Sequence, residues 1–125
     1  MIALNKQWME NWQKIVNDDK ILKVIGRYFT ANVLLEIEDK RYLISVKNGR
    51  IEQLTDENAD FFQWQFALRA SNESWKKFIE LMPPPQYNDI WALARHNKMK
   101  MEGNIILLWQ NLRAFSWMLD LMRKV

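Results

Sequence analysis

The stretch KMKMEGNIILLWQNLRAFSWML, residues 98–119, decides how this chain is read. Lys98, Lys100 and Glu102 alternate with Met99 and Met101. A period of two predicts a strand over 98–102 with one wet and one buried face. Gly103 and Asn104 interrupt it. Asn104 is a good N-cap, because its side-chain oxygen can accept from a free backbone N–H of the first helical turn. From there the period becomes helical. Leu108, Leu112, Phe115, Leu119 and Met122 recur three or four apart and predict a long helix over 104–123. Ile106, Trp109, Trp117 and Met118 are apolar too, which is more than the covering of a sheet requires. The helix is either deeply buried, or it faces the sheet and something else besides.

Residues 71–95 read as helices. Ser71-Asn72-Glu73-Ser74 opens the first, with Ser71 as N-cap and Trp75, Phe78, Ile79 and Met82 on its apolar face. Pro83-Pro84-Pro85 stops it, since proline cannot continue the hydrogen-bond ladder. Tyr87 to Arg95 predicts a short helix starting near Asn88 or Asp89. Residues 20–70 read as four strands with short links, hence an antiparallel meander. The first lies within Lys20–Glu38, with Tyr28, Val33, Leu35 and Ile37 as strand residues and Gly26 as a bend. A tight turn at Asp39-Lys40 leads to Arg41–Lys47. Asn48-Gly49 is a strong hairpin signal, since a type I′ turn needs positive φ at both positions. Arg50–Leu54 returns, Thr55–Asp60 is a polar loop, and Phe61–Ala70 puts Phe62, Trp64, Phe66 and Leu68 on one face. Residues 1–17 predict an N-terminal helix with Leu4, Trp8, Trp12, Ile15 and Val16 on one side, ended by Asn17-Asp18-Asp19. It reads as a packing helix or as one making transient contact with a membrane surface. The whole, 1–125, reads as one domain.

Composition narrows the function. The chain is 49% hydrophobic and 26% charged, ordinary for a soluble globular protein. It has no cysteine and one histidine, so neither a disulfide framework nor a zinc site is expected. No apolar run is long enough to span a bilayer, and the start lacks a signal peptide pattern, so a cytoplasmic protein is expected. The net charge of +3 is spread without a basic block, which argues against nucleic acid as a partner. No GxSxG, P-loop, GxGxxG or HExxH motif is present, and no cofactor is implied. His96 sits in a loop. Asp18, Asp19, Asp56, Glu57 and Asp60 read as turn and cap residues. Asp89 or Glu102 could hold a ligand head group, while capping and solvation explain them as well. Arg69 and Arg95 read as salt-bridge partners.

The seven tryptophans and the apolar excess are the signal. Trp64, Phe66 and Leu68 fall on inward positions of the fourth strand. Trp75, Phe78 and Met82 do so on the helix after it, and Trp91 and Leu93 on the short helix. Met99 and Met101 follow on the last strand, then Leu108, Leu112 and Phe115 on the last helix. These positions form either a core or the wall of a pocket for an oily ligand.

Three segments carry a family resemblance: VKNGRIEQL (46–54), FALRASNESWKKFIEL (66–81) and KMKMEGN (98–104) before an apolar helix. With the order of elements, they make the chain resemble the sterol carrier protein 2-like (SCP-2) domain over about residues 20–122. The family pattern has Asp after the glycine, where this chain has Asn104. The resemblance implies an α/β fold of the α+β type, with a five-stranded, mostly antiparallel sheet covered by helices on one face. An apolar tunnel would lie between them. Members bind sterols, fatty acyl chains, acyl-CoA or isoprenoid quinone-type lipids, and most carry no catalytic residues. The implied binding surface is the strand Phe62–Leu68, Trp75, Phe78, the 86–94 segment, Met99, Met101 and the inner face of the last helix. Three functions are therefore open. One is an apolar-ligand carrier. Another is an interaction module or homodimer that pairs Trp109, Trp117 and Leu121. The third is an enzyme on a small hydrophobic substrate with His96 or Asp89 as base.

Overall fold

Asn5 starts the first helix of the computed structural model, which describes residues 4–56 and 63–125. Its side-chain oxygen accepts from the Trp8 N–H at 2.9 Å, and α1 runs Lys6–Asp18. Asp19 then ends α1 and caps α2 (Lys20–Ile25) by accepting from the Leu22 N–H at 2.7 Å. The strand expected from Lys20 is therefore a helix as far as Ile25. Leu22 alone of its residues is buried, while Ile21 and Val24 point outward. The local cap outweighs the strand preference of these β-branched residues.

Strands follow: β1 (Ala31–Ile37), β2 (Lys40–Lys47) and β3 (Arg50–Thr55). The first turn falls on Glu38 and Asp39, one residue earlier than expected, with Glu38 at φ 61°. The second is as expected, with Asn48 at φ 53° and Gly49 at φ 80°. A Cβ on Gly49 would lie 2.7 Å from the Gly26 carbonyl oxygen, so the hairpin tip packs on the end of α2 through two glycines.

The sheet order is β3-β2-β1-β4-β5, which corrects the meander. β4 (Phe66–Ala70) does not pair with β3. It runs parallel to β1, from Val33↔Phe66 to Ile37↔Ala70. The sheet is mixed, with β1–β2, β2–β3 and β4–β5 antiparallel. A hairpin needs only a few residues, and the connection between Thr55 and Phe66 is longer, as a crossing to the far side of β1 requires. Part of the expected loop and strand, residues 57–62, lies outside the described residues.

After β4 come α3 (Asn72–Phe78), capped by Ser71, and α4 (Ile90–Arg95), capped by Asp89. β5 is Met99–Gly103. The expected single last helix is two, α5 (Ile105–Gln110) and α6 (Leu112–Asp120), with a 3₁₀ turn over Leu121–Lys124. The break is at Asn111, where φ is −118° and the side chain donates to the Leu107 carbonyl at 3.0 Å. Such local bonding competes with the helical ladder.

Alternation sorts the sheet. Val33, Leu35, Ile37, Tyr42, Ile44 and Val46 face the helices and join their apolar residues in one core. Indole N–H groups tie the layers together. Trp12 donates to the Met118 carbonyl at 2.9 Å, Trp75 to the Glu36 carbonyl at 2.9 Å, and Trp117 to the Asp19 carboxylate at 2.8 Å. The other face carries a small cluster, Leu34, Leu43 and Ala67, and a chain of ion pairs. Glu36 pairs with Arg41 at 3.1 Å and Arg69 at 3.2 Å, Arg69 with Glu102 at 3.2 Å, and Glu102 with Lys100 at 3.0 Å.

Gly103 lets the chain leave β5. Its φ is +93°, and a Cβ there would lie 2.5 Å from the Gln65 carbonyl oxygen and 2.9 Å from the Trp64 ring. Gly103→Ala is expected to destabilise the protein by about 2 kcal/mol or more, read as a lowered urea midpoint with an unchanged m-value.

Candidate functional site

Phe115 stands at the centre of the layer between sheet and helices. Its ring meets Phe66 of β4 at 5.2 Å and Phe29 at 5.9 Å, both edge to face. Trp75 and Phe78 of α3 make a similar pair at 6.1 Å. Leu68, Leu93, Met99 and Leu108 are buried in the same cluster, and Met101 and Leu112 pack partly buried against it. Side chains from β4, β5, α3, α4, α5 and α6 thus share one buried layer.

Three of the expected residues lie elsewhere. Met82 was expected to face inward but is 88% exposed. α3 ends at Phe78, with the Glu80 N–H closing a tight turn on the Lys77 carbonyl at 3.3 Å, so Met82 lies beyond the helix. Trp64 was expected to share a face with Phe66 and Leu68, but a bend at Gln65 breaks the alternation. The Gln65 N–H donates to the Asn32 carbonyl at 2.8 Å, and the Gln65 carbonyl accepts from the Asn104 N–H at 2.6 Å. Trp64 therefore packs with Leu34, Leu43 and Ala67 on the far face, with the Arg69 guanidinium 5.7 Å from its ring. Trp91 stacks on Trp109 with ring centres 4.0 Å apart, at the side of the core. Of the surplus apolar residues on the last helix, Leu121 is buried and Trp117 is held by Asp19, while Trp109 is half exposed.

Phe29 and Tyr42 are core residues that the sequence reading did not place in the layer. The start of β1 at Ala31 leaves Phe29 in a turn, where periodicity carries no signal. Burial raises the Tyr42 phenol above its ordinary pKa, with Asp56 adding to the effect, and its O–H donates to the Leu4 carbonyl at 3.4 Å.

The polar candidates have local partners. The Asp89 carboxylate accepts from the Ala92 N–H at 2.7 Å as the cap of α4, and His96 is exposed at the other end of that helix. Among the described residues no group of His, Asp and Glu could hold a metal ion. No helix there is long and apolar enough to cross a membrane. A polar cleft of about 700 Å³ opens where β4 passes into α3, beside the start of β5. Arg69, Lys77, Lys98 and Lys100 wall it, and Met99 reaches it from the core. Within it Lys77 and Glu73 pair at 2.9 Å, which lowers the Glu73 pKa and raises that of Lys77.

No protein-family model matches the sequence, and no curated protein matches it. Solved structures do match the fold. A crystal structure of sterol carrier protein 2 superimposes with a TM-score of 0.78 at 12% identity, covering 98% of this chain and 99% of that one. A conserved hypothetical protein from Thermus thermophilus gives 0.76 at 10% identity, covering 99% and 90%. UbiJ-SCP2, a ubiquinone synthesis protein, gives 0.62 at 15% identity, covering 90% of each chain. The class is therefore defined by fold: this is an SCP-2-like structure of the α+β type. Its five-stranded mixed sheet is covered by helices on one face.

Phe115→Ala is expected to cost about 3–5 kcal/mol, as a cavity opens among rings that cannot collapse fully. Met82→Ala is expected to stay within about 0.5 kcal/mol. Chemical denaturation of the two variants checks both.

Proposed function

We propose that this protein is a non-catalytic binder or carrier of an apolar or amphipathic small molecule in the cytoplasm. The class comprises lipids, fatty acyl chains, sterol-like compounds, isoprenoids and quinones. The observation that carries the reading is the fold, which follows a sterol carrier protein 2 structure over 98% of the chain. The convergence of Phe66, Trp75, Leu93, Met99, Leu108 and Phe115 between sheet and helices supports it. Another structure of this fold is named a ubiquinone synthesis protein, which is why quinones stand beside sterols.

The ligand enters this layer by displacing helices rather than by filling a rigid hole. α5 contributes one buried residue, Leu108, and α4 contributes Ile90 and Leu93. Elements with so little buried area move at the least cost. α5 also ends at Asn111, which makes no side-chain cap for α6. Met99 and Met101 are unbranched and refill irregular space around a guest. Each methylene of the guest that leaves water contributes about 0.8 kcal/mol.

A second reading, an interaction module or homodimer, has one observation in its favour. Ile106 is 69% and Trp109 is 49% exposed on α5, beside Trp91. The enzyme reading has less support, since Asp89 is engaged as a cap and His96 lies out in solvent.

Native mass spectrometry of the purified protein separates the readings. An added mass that is lost on denaturation and identified as a lipid, quinone or terpenoid is the expected result. A bare monomer that also fails to take up added fatty acid and ubiquinone would sink the carrier. A bare dimer that dissociates on Trp109→Ser would establish the second reading instead.

A further inference from the structure

The polar cleft beside β5 has a charge pattern that the core layer does not explain. Four basic side chains wall it. Arg69 is held by Glu36 and Glu102, Lys100 by Glu102 at 3.0 Å, and Lys77 by Glu73 at 2.9 Å. Lys98 has no ion pair among the described residues. Its Nζ lies 5.9 Å from the centre of the Tyr87 ring, and the Lys77 Nζ lies 4.9 Å from the same centre. Two ammonium groups thus converge on one ring. Glu73 is the carboxylate beside them, and it is already bonded to Lys77. Glu73 thus faces two ammonium groups, Lys77 in direct contact and Lys98 at longer range, and one positive charge is in excess.

We infer that this cleft binds a phosphate group, with Lys98 and Lys77 as its cationic anchors and the Ser71–Ser74 hydroxyl pair as a neutral donor. Three observations favour phosphate over carboxylate. The one guanidinium, the natural fork for a planar carboxylate, is taken up by two glutamates, which leaves ammonium groups that act as point charges. Ser71 and Ser74 share one hydrogen bond between their hydroxyls at 3.1 Å, which leaves one of the pair's two protons for a ligand. The donors are also spread around an opening of about 700 Å³ rather than set in one plane. The local fold presents them. Asn97, at φ 59°, and the bond from the Lys98 N–H to the Leu93 carbonyl at 2.7 Å close the turn that brings Lys98 to the rim.

The floor of the cleft gives the phosphate two sources. Met99, next to Lys98 in sequence, is 6% exposed and belongs to the apolar core. A phosphate on Lys98 could therefore be the head of an amphipathic ligand whose tail passes Met99, an assignment that rests on the carrier reading. It could equally be a free, water-soluble phosphate.

Calorimetric titration of the whole chain at low salt distinguishes these, with inorganic phosphate, dodecyl phosphate and dodecanol as probes. The expected result is binding of dodecyl phosphate that Lys98→Gln weakens about tenfold or more, that Lys98→Arg largely restores, and that rising ionic strength weakens. Dodecanol binding should not respond to Lys98→Gln. Binding of inorganic phosphate with the same Lys98 dependence, and no gain from the dodecyl chain, would uphold the anion site with a free phosphate as its source while removing support for the carrier. Dodecyl phosphate and dodecanol binding alike, both indifferent to Lys98→Gln, would overturn the phosphate site and leave the carrier standing. No binding by any probe would overturn both.

Discussion

The parallel ladder from Val33↔Phe66 to Ile37↔Ala70 is the constraint on which the rest of the structure depends, because it joins two halves that have no other common strand. On one side of it β1, β2 and β3 follow in sequence, and on the other β4 leads to β5. Once β4 lies beside β1, Phe66 and Leu68 come level with Val33 and Leu35 on the face that the helices cover. The same pairing sets Glu36 beside Arg69 on the far face, which extends the ion pairs from Arg41 to Lys100. Hydrophobic layer and charged face are two consequences of one register, since neighbouring residues of a strand point to opposite sides.

The tryptophans act as ties as much as filling. An indole buries a large area and still has one N–H to satisfy. Trp12, Trp75 and Trp117 each find an acceptor on a different element: the end of α6, the end of β1 and the start of α2. Arg123 does similar work at the C-terminal end, donating to the Phe78 carbonyl at 2.8 Å and the Asn88 carbonyl at 2.8 Å while its guanidinium lies over the Phe78 ring. Among the helices, α5 is left outside these ties and α4 is held only at its start, and the Trp91–Trp109 stack links the two. The proposed entry of a ligand uses this difference in restraint, and the exposed side of the stack is where a second copy would pair under the alternative reading.

The apolar layer and the polar cleft meet at Met99. Met99 belongs to the apolar core, while its neighbours in sequence, Lys98 and Lys100, wall the cleft. The alternation that first marked residues 98–102 as a strand also sets lysines beside core methionines. The strand thus sets an oily surface and a charged one side by side.

Much of this was legible in the residues themselves. Asn48-Gly49 required its hairpin because both positions need positive φ, and Ser71, Asn104 and the alternating 98–102 segment marked their elements by chemistry acting over three or four residues. Phe66, Trp75, Phe78, Leu93, Leu108 and Phe115 were readable as inward-facing for the same reason: period alone places a side chain on a face. Local cues failed where a contact from far along the chain decided the matter. Trp64 turned to the other face because Gln65 bonds to Asn32 and Asn104, partners that no periodicity reveals. The pairing of β4 with β1 rather than β3 likewise depends on which strand edge offers both free hydrogen-bonding groups and a matching apolar face, a choice made between segments about 30 residues apart. Short-range chemistry therefore set the elements and their faces, while strand order, the side taken by Trp64 and the convergence of Lys77 with Lys98 on Tyr87 arose only from tertiary packing.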